Sequence, residues 1–265
     1  MIEASAPRWA LRWEPLLAVV LCGIGFAAIP LSAGGVGLSW DALNHHIYLG
    51  WTAEDERFDQ DFLGAGYQSM QYPYLYWPVY KLAMLGASGL VAGFVLAMLQ
   101  LTGVPAVWMI ARRCVAGDRW VDIAMRTLAV VLAFSTGAIL SLLDSSSNDL
   151  MAAIPLMWSV ALALEAIHAD MAGMPAAKWV AVSGLLAGMS FAFKFSNGPI
   201  AVLMPLLWIF TARPLGARLR NVVIGSASGR LANPAFVLYT LRPGGTFPGV
   251  RTLAPSARET MYLRH

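Results

Sequence analysis

Three short runs hold polar and charged residues where long apolar runs end. The first is Ser39-Trp-Asp-Ala-Leu-Asn-His-His-Ile-Tyr48. In helical spacing Asp41, Asn44, His45 and Tyr48 fall at i, i+3, i+4 and i+7 and share one face, with Leu43 and Ile47 on another. A carboxylate beside imidazoles can take a proton from an acceptor hydroxyl or hold a divalent ion. The plainer reading is a solvated polar face that caps a membrane span. His45 and His46 as metal ligands lack enough company in this run for a dedicated site. No cofactor is therefore expected, and a divalent cation has no further support.

The second run is Asp144-Ser-Ser-Ser-Asn148-Asp149. Small polar residues make a tight turn, and Asn148 or Ser147 is placed to cap the following helix. The alternative is that Asn148 and Asp149 line a polar substrate pocket. The third run is Phe193-Lys194-Phe195-Ser196-Asn197-Gly198-Pro199. Lys194 ends an otherwise apolar stretch. A charge within a span costs at least about 2.5–3.5 kcal/mol on insertion scales, so it needs a partner or an exit to the interface. Lys194 either snorkels outward or meets a phosphate on a lipid substrate, a role that suits a compact ammonium. Gly184 and Gly188 fit close helix packing better than nucleotide binding. No P-loop or GxGxxG follows a strand, which disfavours ATP coupling and a soluble nucleotide donor.

The elements that must position these runs are read from hydropathy. Of the 265 residues, 58% are hydrophobic and 12% charged, with mean hydropathy +0.62. Soluble domains are roughly 45–50% apolar and about 25% charged. This excludes a disordered chain, a coiled coil and a secreted disulfide scaffold. Spans are expected near 15–33, 88–111, 125–143, 150–168, 179–195 and 199–212, against about 20 residues needed to cross the hydrocarbon core. The expected architecture is all-α: a polytopic transmembrane helical bundle of about six spans, with a long outer first loop carrying interfacial helices. The N-terminal run resembles a signal peptide, but its length favours an uncleaved first helix. Cys22 and Cys114 form no CxxC and read as inert packing residues.

Ten of the thirteen Lys and Arg residues before Asn221 fall on one side of this arrangement. The positive-inside rule then puts the N-terminus in the cytoplasm and the loop 34–87 outside. That loop holds Asp41, Glu54, Asp55, Glu56, Asp59 and Asp61, six of the fifteen acids. It also holds Tyr72, Tyr74, Tyr76, Trp77 and Tyr80. Such rings suit a lipid headgroup boundary, and 74–86 is read as an interfacial helix. Asn221–Ser228 reads as the start of a seventh span that does not continue. Residues 1–228 are taken as the membrane domain. Residues 229–265, with four Pro, five Arg and one acid, are taken as an irregular tail, either a functional extension or a truncated or frame-shifted end. The basic pI of about 9.0 does not imply nucleic acid, because Lys and Arg cluster between apolar runs rather than along a stripe.

At these residues the chain resembles the C-fold class of integral-membrane glycosyltransferases, which includes protein O-mannosyltransferases and the aminoarabinose transferase of lipid A. Asp41 follows the first span in a long outer loop. Gln71-Tyr-Pro-Tyr-Leu-Tyr-Trp-Pro78 resembles the Tyr-Pro-rich interfacial segment. Asn148-Asp149-Leu-Met-Ala-Ala opens the fourth span. Gly184 through Lys194 to Asn197 looks like a glycine-rich helix ending in Lys-aromatic-Ser/Thr. The resemblance covers residues 10–225. It implies sugar transfer from a polyprenyl-phosphate donor to a lipid or glycan acceptor in the cell envelope, at the outer face of a bacterial inner membrane. It also implies that Asp41 deprotonates the acceptor and Lys194 contacts the donor phosphate, with His45, Asn44, Asn148, Asp149 and Tyr72 lining the substrate site. Partners are then the donor, the acceptor and membrane lipids. Members carry more spans, and some have an adjacent acidic pair where this chain has Asp41 alone. Two other functions are consistent with the composition: a transporter or lipid-handling protein, and a non-catalytic membrane scaffold. Transporters place ionisable groups near mid-membrane, whereas these gather at one face.

Overall fold

The computed structural model describes residues 4–37, 39–55, 60–61, 64–211 and 214–232. They are helical, with no strand among them, only isolated bridges. Three helical stretches are long and apolar enough to cross a membrane. They are α1 (Arg8–Ala33), the pair α4 (Gly89–Gln100) and α5 (Val104–Cys114) joined as Gly89–Cys114 through a 3₁₀ turn, and α8 (Asp149–Met171). Their composition fits a membrane protein. The other runs form shorter helices. The stretch expected at 125–143 is α6 (Trp120–Phe134), then a break, then α7 (Gly137–Leu140), where the Thr136 hydroxyl caps the new turn by accepting from Ile139 N–H. The last two apolar runs form α9 (Ala177–Phe193) and α10 (Gly198–Trp208).

α1 shows why these helices suit lipid. Its buried residues Ala10, Glu14, Ala18, Cys22, Phe26 and Pro30 recur every fourth position. Leu16, Leu17, Val20, Leu21, Ile24 and Leu31 stay exposed on the rest of its circumference. A soluble helix hides its large apolar residues; this one presents most of them outward. Gly34, with φ of 76°, closes the helix by donating its N–H to the Pro30 carbonyl, where a left-handed residue is needed.

Inside the first loop, a π-turn at Ala42–His46 leads into α2 (Ile47–Thr52), and α3 (Trp77–Met84) follows the 3₁₀ turn Pro73–Leu75. α3 lies within the segment read as an interfacial helix. α2 packs directly on it. A Cβ at Gly50 would stand 2.4 Å from Tyr80 Cβ and 2.5 Å from the Tyr76 carbonyl oxygen, so only glycine permits this approach.

α8 and α9 form an antiparallel pair whose register is locked by side chains. The Ser159 and Ser183 hydroxyls each donate to the other's backbone carbonyl, at 2.7 and 2.8 Å. Near the far end, Ser190 Oγ and Asn197 Nδ2 both donate to the Ala152 carbonyl, at 2.8 and 3.0 Å. α11 (Leu215–Leu231) then packs along α9. It begins before the expected start at Asn221 and runs past 228; residues 233–265 lie outside the described part of the chain. Gly184 and Gly188 meet Gly225 and Gly229, in the small-xxx-small manner of membrane helices. A Cβ on Gly184 would lie 2.0 Å from the Gly225 carbonyl oxygen, an immovable backbone atom. Gly184→Ala should therefore cost about 1–3 kcal/mol through overpacking and lower the thermal midpoint in detergent. Gly216→Ala, where nothing lies within 4 Å, should leave the midpoint unchanged. Equal midpoints for the two variants would show that α9 and α11 do not depend on this contact.

Candidate functional site

The ends of the elements converge. The C-terminal end of α1, the start of α4, the start of α8 and the end of α9 lie together. Gly35 touches Gly89, and Gly37 N–H donates to the Asp144 carbonyl at 3.0 Å. This draws the Asp41 run against the serine turn.

Most of the turn 144–149 is buried, including Asp144, Ser145, Ser146 and Asn148, while Asp149 at its end is exposed. Asn148 does not cap α8. Instead its Oδ1 accepts from Lys194 Nζ at 2.9 Å, and its Nδ2 donates to Gln71 Oε1 at 3.4 Å. Ser147 Oγ sits 3.4 Å from Asp149 N–H and donates to Asp149 Oδ2 at 2.6 Å. The capping expectation thus fails for Asn148, because a lysine needs that oxygen more. Lys194 Nζ also donates to Asp149 Oδ1 at 2.5 Å. Lys194 leaves the helix with extended backbone (φ −152°, ψ 119°), which turns its side chain back to the start of α8. Two of its three N–H donors are occupied in this way. Tyr72 stacks on Phe193 with ring centres 5.0 Å apart, one residue from the ammonium.

On the other side stands the Asp41 run. The face expected for Asp41, Asn44, His45 and Tyr48 forms only in part: the backbone makes a π-turn there, and of the four Asp41 and His45 stay together. Asn44 is exposed and donates back to the Trp40 carbonyl at 2.6 Å. The Tyr48 hydroxyl lies 3.5 Å from Asp61 Oδ2, away from the cluster. His46 takes their place. Its Nδ1 is 2.6 Å from Ser146 Oγ, and its ring stacks on Tyr76 at 4.6 Å. His45 meets His46 edge-on at 4.6 Å, and its Nδ1 is 3.9 Å from Asp41 Oδ1. That separation is too long for a hydrogen bond. The Asp41 side chain is 56% exposed and that of His45 only 5%.

Burial disfavours the charged form of both imidazoles. It lowers the pKa of His45 against the opposing pull of Asp41. It lowers that of His46 to about 4, with neighbouring His45 and Lys194 acting the same way and Asp41 and Asp149 opposing. Both rings are neutral at pH 7, with a lone pair available. Burial also raises the Tyr76 hydroxyl, aided by Asp149 and Asp41, so it stays protonated and donates to Gln71 Oε1. His46 and Tyr76 therefore both feel Asp41 and Asp149, and His46 feels Lys194 too.

At the loop's outer edge, Glu54 accepts from Lys81 at 2.5 Å and from Trp77 Nε1 at 2.7 Å. The Lys81 contact, then Trp77, lowers the Glu54 pKa.

Of the residues singled out in sequence, Asp41, His45, Asn148, Asp149, Lys194 and Tyr72 gather at this end, and Asn44 does not join them. Gln71, Tyr76, His46 and Ser146 complete the cluster. The paired histidines and the Gln-Tyr-Pro-Tyr run were visible as motifs; which atoms they would touch was not. No protein-family model, curated protein or solved structure matches this chain.

Proposed function

We propose that the chain is a membrane glycosyltransferase that moves a sugar from a polyprenyl-phosphate carrier to a cell-envelope acceptor. In this reading further short helices join the three long ones in crossing a bacterial inner membrane. The N-terminus is cytoplasmic and the site faces outward, following the basic asymmetry. The observation that supports it best is the opposition of charges at one end of an apolar bundle. An exposed carboxylate, Asp41, and a cation, Lys194, both act on the buried His46, with opposite sign.

The chemistry follows from those positions. Asp41 accepts the proton of the acceptor hydroxyl. The oxygen attacks the anomeric carbon, the bond from that carbon to the phosphate oxygen breaks, and the lipid phosphate leaves with the electron pair. Among the described residues Lys194 has one N–H donor left for that phosphate, and its charge offsets the one that develops. Asn148 and Asp149 keep the ammonium aimed, and Tyr72 offers a ring face to the sugar.

The test is transfer of label from a radiolabelled polyprenyl-phosphate sugar to an envelope lipid extract, with the whole chain in proteoliposomes. Transfer is expected, and its absence across donor sugars would reject the reading. Lys194→Met keeps the stem and removes the charge. A hydrogen bond to a charged group is worth about 1.5–3 kcal/mol, so kcat/KM for the donor should fall at least about tenfold. A lower thermal midpoint with unchanged KM would instead make Lys194 a strut between α8 and α9.

A further inference from the structure

We propose that Asp41, His45 and His46 form a binding site for a divalent transition-metal ion of the zinc type. One donor atom from each lies within 4.8 Å of the others. The inference does not depend on the transfer reading, because it concerns what these side chains hold and not what they turn over.

The π-turn is what assembles the set. At about 100° per residue in an α-helix, Asp41 and His45 share a face, while the fifth residue on points about 140° away. In the i→i+5 register of a π-turn, His46 returns to the face of Asp41. Ala42–His46 adopts that register, which otherwise appears mostly as isolated bulges, frequently at functional sites. Sequence alone shows the two histidines without enough company for a dedicated site; the π-turn brings Asp41 to both of them and makes a set of three.

The site has a fixed half and an adjustable half. Both imidazoles are buried, at 4% exposure each. His46 is clamped between Tyr76 and the Ser146 hydroxyl, and a partner of this kind orients a metal-bound imidazole. Asp41 is exposed and makes no hydrogen bond among the described residues, so its carboxylate is able to turn inward. Bonds of about 2.0–2.1 Å in a tetrahedral ion space ligand atoms about 3.4 Å apart. The 3.9 Å between Asp41 and His45 is near this already. Two imidazoles and one carboxylate suit zinc and its neighbours rather than calcium or magnesium, which favour all-oxygen sets. Three protein ligands leave a further position for water or a hydroxyl. Lys194, the cation that acts on His46 among the described residues, is already paired with Asp149.

The test uses the whole chain in detergent with any affinity tag removed. After chelation and dialysis, Zn²⁺ is titrated against a fluorescent chelator, and Co²⁺ is followed by its visible d–d absorption. One zinc per chain is expected. Asp41→Asn and His45→Gln should each weaken binding at least about tenfold, and Ser146→Ala about tenfold, as the loss of an orienting partner does. Asp41→Asn, at an exposed position, should keep the apo thermal midpoint, so loss of zinc there is not unfolding. Lys194→Met and Glu54→Gln should leave zinc affinity undiminished. No stoichiometric zinc, or binding indifferent to both Asp41→Asn and His45→Gln, overturns the site. Zinc without sugar transfer would reject the transfer reading alone; transfer without zinc would reject the metal site alone.

Discussion

Asp41→Asn should lower sugar transfer by about 10²–10⁴-fold while leaving abundance and membrane insertion near those of the parent chain. That range is what a positioned general base contributes. The substitution keeps the shape of the side chain and removes its ability to take a proton. Asp41 is the right place to look because it is uncommitted. Asp149 is tied to Lys194 and Ser147, and Glu54 to Lys81 and Trp77. Asp41 is exposed, and its neighbour His45 stands beyond hydrogen-bonding range. Because the side chain is exposed and makes no hydrogen bond among the described residues, lost activity would not be a folding effect. Full activity in Asp41→Asn, assayed with a radiolabelled polyprenyl-phosphate sugar, would reject the base assignment and turn attention to Asp149.

The same substitution also removes a proposed metal ligand, so it needs a companion. His45→Gln deletes an imidazole and leaves the carboxylate. If Asp41 acts by accepting the proton, His45→Gln should retain much more transfer than Asp41→Asn. If Asp41 acts only by holding an ion, the two variants should fall together, and chelation should reproduce both in the parent chain. The comparison separates two roles that one carboxylate can fill with its two oxygens.

Hydropathy made the all-helical character and the principal long helices plain, because apolar runs of this length have few other solutions. It overstated the third span. Residues 125–143 are mostly apolar, but Ser135 and Thr136 offer local hydrogen bonds that end α6 and restart the chain as α7. The site was legible in kind and not in arrangement. Asp41, Asn148, Asp149 and Lys194 each stood out as polar groups at the ends of apolar runs. That Lys194 would reach across 45 residues to Asp149 depends on the register of α8 on α9, set by Ser159, Ser183, Ser190 and Asn197. Serines in an apolar helix look much like its other small residues until their partners are known. The face of Asp41 was misjudged for a different reason. Amphipathic reasoning assumes the α period, and a π-turn has no sequence signature strong enough to displace it. Glu14 was overlooked too, hidden in the flank of the first span.

Glu14→Ala should be the most destabilising single change in the bundle. Glu14 and Arg126 are each 2% exposed, with Nε–Oε1 and Nη2–Oε2 contacts of 2.6 and 2.8 Å. Glu14 also accepts from Trp108 Nε1 at 3.0 Å, and Arg126 Nη1 donates to the carbonyls of Val115 and Gly117. One pair thus joins α1 to α5, α6 and the loop between them, at the end of the bundle opposite the site. Removing one partner of a buried pair leaves an uncompensated charge and costs about 3–5 kcal/mol. Glu14→Gln should cost less, because the amide oxygen still accepts from the guanidinium. Replacing both residues, as Glu14→Leu with Arg126→Met, should recover most of the loss, since well-packed apolar groups can equal a buried pair. Thermal midpoints in detergent for Glu14→Leu, Arg126→Met and the double form a cycle that isolates the coupling. A double variant as unstable as the sum of its singles would mean that the charges do not interact. Zinc affinity is an independent control: Glu14→Gln should bind the ion normally, because the bundle end it loosens is not the end that holds Asp41, His45 and His46.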